Sequence, residues 1–217
     1  MNEDFDDKAA TWDDDPDRVA RAAEVASRII ERIPVTRSMQ LLDFGSGTGL
    51  LGFNFLPHVA SVTFADPSEA MLARVAAKLR EQADGWGSVY RLDPSALTLP
   101  ERYDAIVSLM TLHHVPDTAA VVRLLAEHLR PGGWLALCDL DAEDGSFHDD
   151  PEEDVHHGFD RADLVALAEG AGLDRTETST AFTIRVERDD AVQEYPLFLL
   201  TARKPPTASK SGGGLTS

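Results

Sequence analysis

The chain of 217 residues is 43% hydrophobic and carries a formal net charge of −18, which excludes several classes of protein. No apolar run approaches the roughly 20 residues that cross a bilayer, the N-terminus is acidic where a secretory signal is basic and then apolar, and sequence-independent binding of nucleic acid requires clustered lysine and arginine. We therefore expect one cytoplasmic domain that binds neither a membrane nor nucleic acid.

Two helices are predicted before the first strand. Apolar residues recur at helical spacing over residues 16–33, after an acidic cap and a proline, which predicts an amphipathic helix. Phe5, Ala9 and Trp12 are spaced by four and three residues, so they indicate one face of a shorter preceding helix.

The chain is organised around a glycine-rich turn. Residues 40–44 form a largely apolar run, typical of a short strand, and Gly45, Gly47 and Gly49 follow it at alternate positions. Glycine allows a sharp bend and the close approach of a ligand to the backbone. Residues 50–56 are predicted to be the first turns of a helix. A strand, a glycine turn and a helix predict a nucleoside-cofactor pocket at the carboxyl edge of a parallel sheet.

Strands and helices alternate through the middle of the chain. The predicted strands are residues 61–65, 88–92, 105–110 and 134–140, and the predicted helices begin at Ser68, at Asp117 or Thr118, and at Asp160. Such alternation is typical of an α/β, doubly wound parallel sheet with right-handed crossovers.

The pattern changes near the C-terminus. Two strand-like runs, residues 175–187 and 196–202, follow each other without a helix, so we expect them to pair antiparallel at one edge of a seven-stranded, Rossmann-like sheet. The stretch from Lys204 onward is rich in Pro, Gly and Ser. We accordingly expect one domain over residues 1–204 and a disordered tail over residues 205–217.

Five segments in this order resemble one enzyme family. They are LLDFGSGTG at 41–49, FADPSEAML at 64–72, LDPSALTLP at 92–100, YDAIVSLMTLHHV at 103–115 and LRPGGWLAL at 129–137. From Phe5 to about Arg203 the chain resembles the class I S-adenosylmethionine-dependent methyltransferases, in particular small bacterial enzymes that methylate ubiquinone precursors and other small metabolites. The resemblance implies S-adenosylmethionine as cofactor, S-adenosylhomocysteine as product and a small-molecule methyl acceptor.

The resemblance also implies roles for individual residues. Gly45 and Gly47 would admit the methionine part of the cofactor, Asp43 would order its ammonium group, and Asp66 would accept hydrogen bonds from both ribose hydroxyls. An ionised carboxylate suits a vicinal diol and repels a 2′-phosphate. Asp93 stands where the family receives the adenine amino group. The full set of implied cofactor contacts is Trp12, Asp43, Gly45, Ser46, Gly47, Asp66, Pro67, Met71, Asp93, Pro94 and Leu109.

The same resemblance assigns residues 1–33 to a lid that closes over cofactor and acceptor. Several implied contacts also have a structural explanation. Asp43 and Asp66 are suited to capping a turn and a helix, Met71 to the core, and Trp12 to holding the first helix in place. Asp93 departs from the commoner family pattern, because Pro94 after it has no N–H to donate to the adenine ring.

Histidines and carboxylates near the predicted strand ends supply candidate general bases. His113 is the first choice, because the end of the fourth strand places it at the cofactor crevice; an LHHV segment is nevertheless usual in the family whatever the substrate. The other candidates are His114, Asp139, Asp141, His156 and His157. The adjacent histidine pairs lack the helical spacing that brings two imidazoles to one ion, so no metal site is expected.

Two other classes of function remain open. A short-chain nicotinamide reductase needs a Tyr with Lys four residues later, and Tyr90, Tyr103 and Tyr195 lack that lysine. The second alternative is a non-catalytic protein of the same fold that binds S-adenosylmethionine or S-adenosylhomocysteine. The identity of the acceptor and the methylated atom are open, and the protein is expected to be a monomer or homodimer.

Overall fold

The computed structural model describes residues 2–82, 86–93, 96, 98–148, 155–188 and 191–207. The helices are α1 (Asn2–Lys8), α2 (Pro16–Arg32), α3 (Glu69–Glu81), α4 (Thr118–His128) and α5 (Arg161–Gly170). The strands are β1 (Gln40–Phe44), β2 (Ser61–Asp66), β3 (Gly87–Arg91), β4 (Tyr103–Leu109), β5 (Leu129–Leu140), β6 (Asp174–Arg188) and β7 (Ala191–Arg203). Short 3₁₀ helices cover Trp12–Asp14, Gly52–Phe55 and Leu112–His114.

The seven strands form one sheet in the order β3-β2-β1-β4-β5-β7-β6. Strands β1 to β5 pair in parallel, whereas β7 runs antiparallel to both β5 and β6. The predicted seven-stranded α/β sheet with a C-terminal hairpin is therefore confirmed. The carboxyl ends of β1, β2 and β4 meet at one edge of the sheet, which is where a ligand binds in this architecture.

Helices cover both faces of the sheet. Leu41 packs with α2 and α3 on one face, and the adjacent Leu42 packs with α4 and α5 on the other. Because successive residues of a strand point to opposite faces, a strand covered on both sides is apolar along its length. Full burial of each such leucine stabilises the fold by about 1.5–3 kcal/mol.

The predicted helix over residues 50–56 is wrong. A 3₁₀ helix, Gly52–Phe55, takes its place. The Gly52 amide donates to the buried Asp43 carboxylate at 2.9 Å, and the Phe53 amide donates to the Gly49 carbonyl at 3.0 Å. The loop is therefore tied to the end of β1, and Pro57 follows before a longer helix could form.

The N-terminal prediction is correct only in part. Helix α1 ends at Lys8, and Trp12 lies in the 3₁₀ helix after it, so one helical face does not carry all three predicted residues. Ala9 is nonetheless buried, and the rings of Phe5 and Trp12 are in edge contact at 6.0 Å. The predicted longer helix is confirmed as α2, with Asp15 capping its first turn and Pro16 at its first position.

Strand β7 begins five residues earlier than predicted, at Ala191 rather than Pro196. A proline is tolerated there because the pairing between β7 and β5 extends only to Leu197, so no β5 carbonyl requires a donor at position 196. Residues 208–217, most of the predicted tail, lie outside the described residues. Among the helices described, none is both long and apolar enough to span a bilayer.

Candidate cofactor and acceptor site

The glycine turn after β1 is fixed against the end of β2. The amides of Gly45 and Ser46 both donate to the Ala65 carbonyl, at 2.8 and 3.0 Å. The Gly47 amide donates to the Asp66 carboxylate at 2.7 Å. Gly45 and Gly47 have positive φ angles of 68° and 52°, a conformation that strains other residues. The loop is thus shaped by its own hydrogen bonds.

Gly45 and Gly47 differ in what surrounds them. A Cβ added at Gly45 would overlap the Thr111 side chain, whereas one added at Gly47 would meet only the Met71 sulfur, 4.0 Å away. Glycine is therefore required at position 45, because any side chain there would overlap Thr111, which follows β4. The family resemblance did not supply this reason. The side-chain direction of Gly47 is therefore open except for Met71, so its backbone has room for a neighbouring group.

Alanine substitutions at these two glycines are expected to separate folding from binding. Gly45→Ala combines a left-handed φ with steric overlap, so we expect a loss of stability of about 1–3 kcal/mol or more. Gly47→Ala carries the backbone strain without the overlap, so it should destabilise less and chiefly weaken binding of S-adenosylhomocysteine. Urea denaturation and calorimetric titration of both variants measure the two effects. Equal destabilisation of both variants would contradict this distinction.

Asp66 lies at the end of β2 and is only 8% exposed. One carboxylate oxygen accepts from Gly47 N and the other from Ser68 N, at 2.7 and 2.9 Å. Ser68 itself caps α3, since its hydroxyl accepts from Met71 N at 3.0 Å. Burial raises the pKa of Asp66, and its two amide donors oppose that rise. Each carboxylate oxygen retains a second acceptor site, so the group can accept from two further donors.

Asp43 lies in β1 and is 1% exposed, with Gly52 N as donor to its Oδ2. Burial raises its pKa to about 7, the Gly52 amide opposes the rise, and the nearby Asp66 charge adds to it. The protonation of Asp43 therefore changes near neutral pH. A cationic ligand group beside it would favour the carboxylate.

Replacing Asp43 with Asn should alter how stability depends on pH. Because the folded-state pKa lies above the ordinary aspartate value of 3.8, the stabilising contribution of the protonated group is complete below about pH 4 and is lost as the pH rises through about 7. Asp43→Asn mimics the protonated group at every pH. As the pH rises from about 4 to 8, the free energy of unfolding of the variant should therefore increase relative to that of the wild type by up to about 4 kcal/mol. Urea denaturation across this range measures the difference. If the free energies of unfolding of wild type and variant change in parallel with pH, the raised pKa of Asp43 is refuted.

The remaining predicted cofactor residues lie around the same strand ends. Met71 is buried on the first turn of α3, and its sulfur borders the space beside Gly47. Pro67 and Leu109 are half-buried, the latter at the end of β4. Asp93 is exposed, and the preceding Leu92 amide donates to the Asp66 carbonyl at 3.0 Å. Pro94 lies outside the described residues.

The N-terminal segment, residues 5–14, contacts this edge through two aspartates, Asp6 and Asp13, whose contacts the sequence analysis did not predict. Asp6 accepts from the Ser68 hydroxyl and, at 3.4 Å, from Ala70 N. Asp13 accepts from the Thr48 hydroxyl at 2.5 Å and pairs with Lys78 at 2.5 Å. These contacts hold the segment against the glycine turn and the start of α3.

Trp12 lies between two neighbours within the same region. Its ring contacts Phe5, and the Arg18 guanidinium stands 4.1 Å from its centroid. Phe5 in turn contacts the His114 ring at 5.1 Å, so the N-terminal segment reaches the end of β4. The segment therefore covers the strand ends on both the Asp66 side and the histidine side.

His113 follows β4 and is 2% exposed, with its Nδ1 2.6 Å from Oδ1 of the buried Asp139. Burial, followed by repulsion from His113, lowers the pKa of His114 to about 3. The His113 ring lies 4.0 Å from that of His114 and 5.3 Å from that of His148, a residue that sequence reasoning missed. A cluster of imidazoles thus borders the strand ends.

Three further candidate bases, Asp141, His156 and His157, contact an arginine, a backbone carbonyl and a glycine, respectively. The Asp141 carboxylate forms two hydrogen bonds with Arg161, at 2.6 and 2.5 Å. His156 donates through Nε2 to the Val115 carbonyl at 2.9 Å, and the His157 ring lies beside Gly145. Across the described part of the chain, no three His, Cys, Asp or Glu side chains are grouped to hold a metal ion.

Comparison with known sequences points to one family. The profile of the methyltransferase domain matches residues 18–178. The ubiquinone biosynthesis O-methyltransferase of Bordetella pertussis is 35% identical over 111 residues, covering 50% of this chain and 45% of the relative. The corresponding enzyme of Pseudomonas aeruginosa is 35% identical over 104 residues, covering 46% and 44%. These two alignments thus span about half of this chain and less than half of each of the two enzymes.

Solved structures share the whole fold at low sequence identity. The putative methyltransferase of Haloferax volcanii, in complex with the Trm112 methyltransferase activator, has a TM-score of 0.75 at 18% identity and covers 93% of this chain and 97% of that one. Magnesium protoporphyrin IX methyltransferase of Synechocystis with bound S-adenosylmethionine has a TM-score of 0.60 at 19% identity, covering 86% and 79%. These likenesses concern the fold. Since the domain match extends over residues 18–178, from α2 into β6, the chain belongs to the class I S-adenosylmethionine-dependent methyltransferase family.

Proposed function

We propose that this protein transfers a methyl group from S-adenosylmethionine to a hydroxyl of a small aromatic molecule. The observation that carries the proposal is the open space beside Gly47, bordered by the oriented carboxylate of Asp66. The partial match to ubiquinone biosynthesis O-methyltransferases supports a hydroxyl as acceptor.

The residues around the glycine turn fit the cofactor. Asp66 would hold the ribose hydroxyls, Asp43 the ammonium group, and Met71 the adenine. Gly47 and Ser46 would let the methionine part approach the backbone. When bound, the sulfonium supplies an activated methyl group, so the chain itself must align the acceptor and exclude water.

The N-terminal segment would supply that exclusion. Asp6 and Asp13 hold it over Ser68, Thr48 and Lys78, which border the proposed cofactor site. Trp12 would then face cofactor or acceptor beneath the segment. We therefore propose that residues 5–14 form a cover that must open for exchange.

The acceptor would lie among aromatic side chains on the histidine side. Successive ring contacts connect His114, His148, Phe147 and Tyr195, with centroid separations of 5.8, 5.0 and 5.1 Å. A planar acceptor can pack against such rings with favourable edge or offset contacts. The segment after β5 would thus select the acceptor, while the ends of β1 and β2 hold the cofactor.

Calorimetric titration and a transfer assay test the proposal in two stages. S-adenosylmethionine and S-adenosylhomocysteine should both bind, and tritium from methyl-labelled S-adenosylmethionine should pass to at least one member of a panel of phenols and catechols. NADH and NADPH serve as controls and should give no heat. Binding without transfer would support a non-catalytic binding protein, and no heat from natively folded protein with either sulfur compound would refute cofactor use.

A further inference from the structure

Asp139, at the C-terminal end of β5, is a buried carboxylate with an unusual set of neighbours. It is 0% exposed, and three backbone amides donate to it, from Leu112 at 2.8 Å, His113 at 3.3 Å and Leu140 at 2.8 Å. The fourth contact is His113 Nδ1, 2.6 Å from Oδ1. Buried carboxylates are costly unless such donors compensate the charge.

These contacts determine where the proton of the His113 ring lies. Amide donors favour the ionised form of a carboxylate, and an ionised carboxylate is an acceptor only. His113 Nδ1 must therefore carry the hydrogen, and the short 2.6 Å separation agrees with a charge-assisted bond. In a neutral imidazole with Nδ1 protonated, Nε2 holds the free lone pair.

Hydrogen bonds also fix the backbone of His113. Its amide donates to the same Asp139 carboxylate, and its carbonyl accepts from His156 N at 2.8 Å. His156 also donates through its ring to the Val115 carbonyl, so residues 113–115 are attached to the segment after β5. The orientation of the imidazole is thus determined by two separate parts of the chain.

The neighbouring His114 is less suited to this role, because burial lowers its pKa. Its pKa of about 3 makes it a weak proton acceptor. Within the described part of the chain, the titratable side chains that contact the His113 ring are Asp139, His114 and His148. Of these, the carboxylate of Asp139 is the group that stabilises a positive charge on His113.

We propose that Asp139 is a positioning residue that keeps His113 Nε2 available as the proton acceptor for the methylated hydroxyl. As the acceptor oxygen bonds to the methyl carbon and the carbon–sulfur bond breaks, the hydroxyl proton passes to Nε2. Asp139 stabilises the resulting imidazolium until it releases the proton to water. This inference rests on the proposed function for its catalytic part, while the tautomer is a property of the protein alone.

Nitrogen-15 NMR of the histidine rings tests the tautomer without any acceptor. In the wild-type protein, the His113 ring should carry hydrogen on Nδ1, the nitrogen that faces Asp139. The ring signals of His113→Gln identify the resonance by its absence. An Nε2–H tautomer in the folded wild type would overturn the inference.

Two matched variants test the role of Asp139. Asp139→Asn replaces an obligate acceptor by a group that can also donate, so the ring should change tautomer and turnover should fall by at least about tenfold. The pH dependence of turnover should change as well, while S-adenosylhomocysteine still binds. Asp104→Asn removes a charge at the opposite edge of the sheet, from a carboxylate bound to Arg130, and should leave the tautomer and pH profile unchanged.

The outcomes separate this inference from the proposed function. A folded Asp139→Asn protein with the wild-type tautomer, or with wild-type turnover and pH profile, would show that Asp139 is only structural. Absence of S-adenosylhomocysteine binding in the wild type would refute the proposed function whatever the NMR result. A wild type that binds this product and shows the Nδ1–H tautomer supports the positioning role.

Discussion

His113→Gln is expected to lower kcat by about 10²- to 10⁴-fold, the usual contribution of a positioned general base. Glutamine retains polarity and approximate size at this buried position but cannot accept a proton. Affinity for S-adenosylhomocysteine should be unchanged, because His113 lies at the end of β4 rather than beside Gly47 or Asp66. Steady-state transfer to the best acceptor of the phenol panel, with calorimetry of product binding, measures both quantities.

The control for this substitution is His128→Gln. His128 ends α4, away from the candidate site, and its ring donates to the Leu124 carbonyl at 2.8 Å. The control should retain wild-type turnover, since any loss there would reflect a general effect on the fold. A His113→Gln protein that is folded, binds product and keeps the wild-type kcat would exclude His113 as the base.

Asp66→Ala is expected to weaken binding of S-adenosylhomocysteine by about 1.5–3 kcal/mol, the range for hydrogen bonds to a charged group. This corresponds to roughly a 10- to 150-fold higher Kd. The substitution also leaves Gly47 N and Ser68 N without their acceptor, so the glycine turn should lose part of its shape. Calorimetry gives the affinity, and urea denaturation gives the accompanying loss of stability.

Asp104→Ala distinguishes the two effects. Asp104 accepts from Gln40 N at 2.8 Å and pairs with Arg130 at 2.6 Å, at the amino ends of β1 and β4. Its loss removes a comparable amide acceptor at the opposite edge of the sheet. This variant should be destabilised without losing affinity. If both variants bind product as the wild type does, the ribose lies elsewhere.

The strands and most helices could be predicted because their signals are local. Apolar runs ending in glycine or aspartate locate β1 and β2, and their alternation with amphipathic segments is enough to indicate parallel order. Helix caps such as Asp15 and Ser68 are also read within a few residues. The 3₁₀ helix at Gly52–Phe55 was missed because the Asp43–Gly52 hydrogen bond outweighs the apolar pattern of residues 50–56.

The candidate site was predictable in its outline only. Asp43, Gly47 and Asp66 follow from the glycine turn and from the family resemblance, since both depend on short motifs. The contacts of Asp6 with Ser68 and of Asp13 with Thr48 join residues that are 62 and 35 positions apart, so no local sequence pattern predicts them. The overlap that makes Gly45 necessary comes from Thr111, 66 residues later.

The amino-acid sequence by itself determined the order of the strands and helices, the glycine turn and the two carboxylates at the strand ends, because hydrophobic periodicity and turn chemistry act over a few residues. Only the tertiary structure decided which ionisable groups are buried together. Asp139 and His113 are 26 residues apart in the chain and 2.6 Å apart in the fold. Their contact, and the amide donors that surround Asp139, exist only once β4 and β5 are paired.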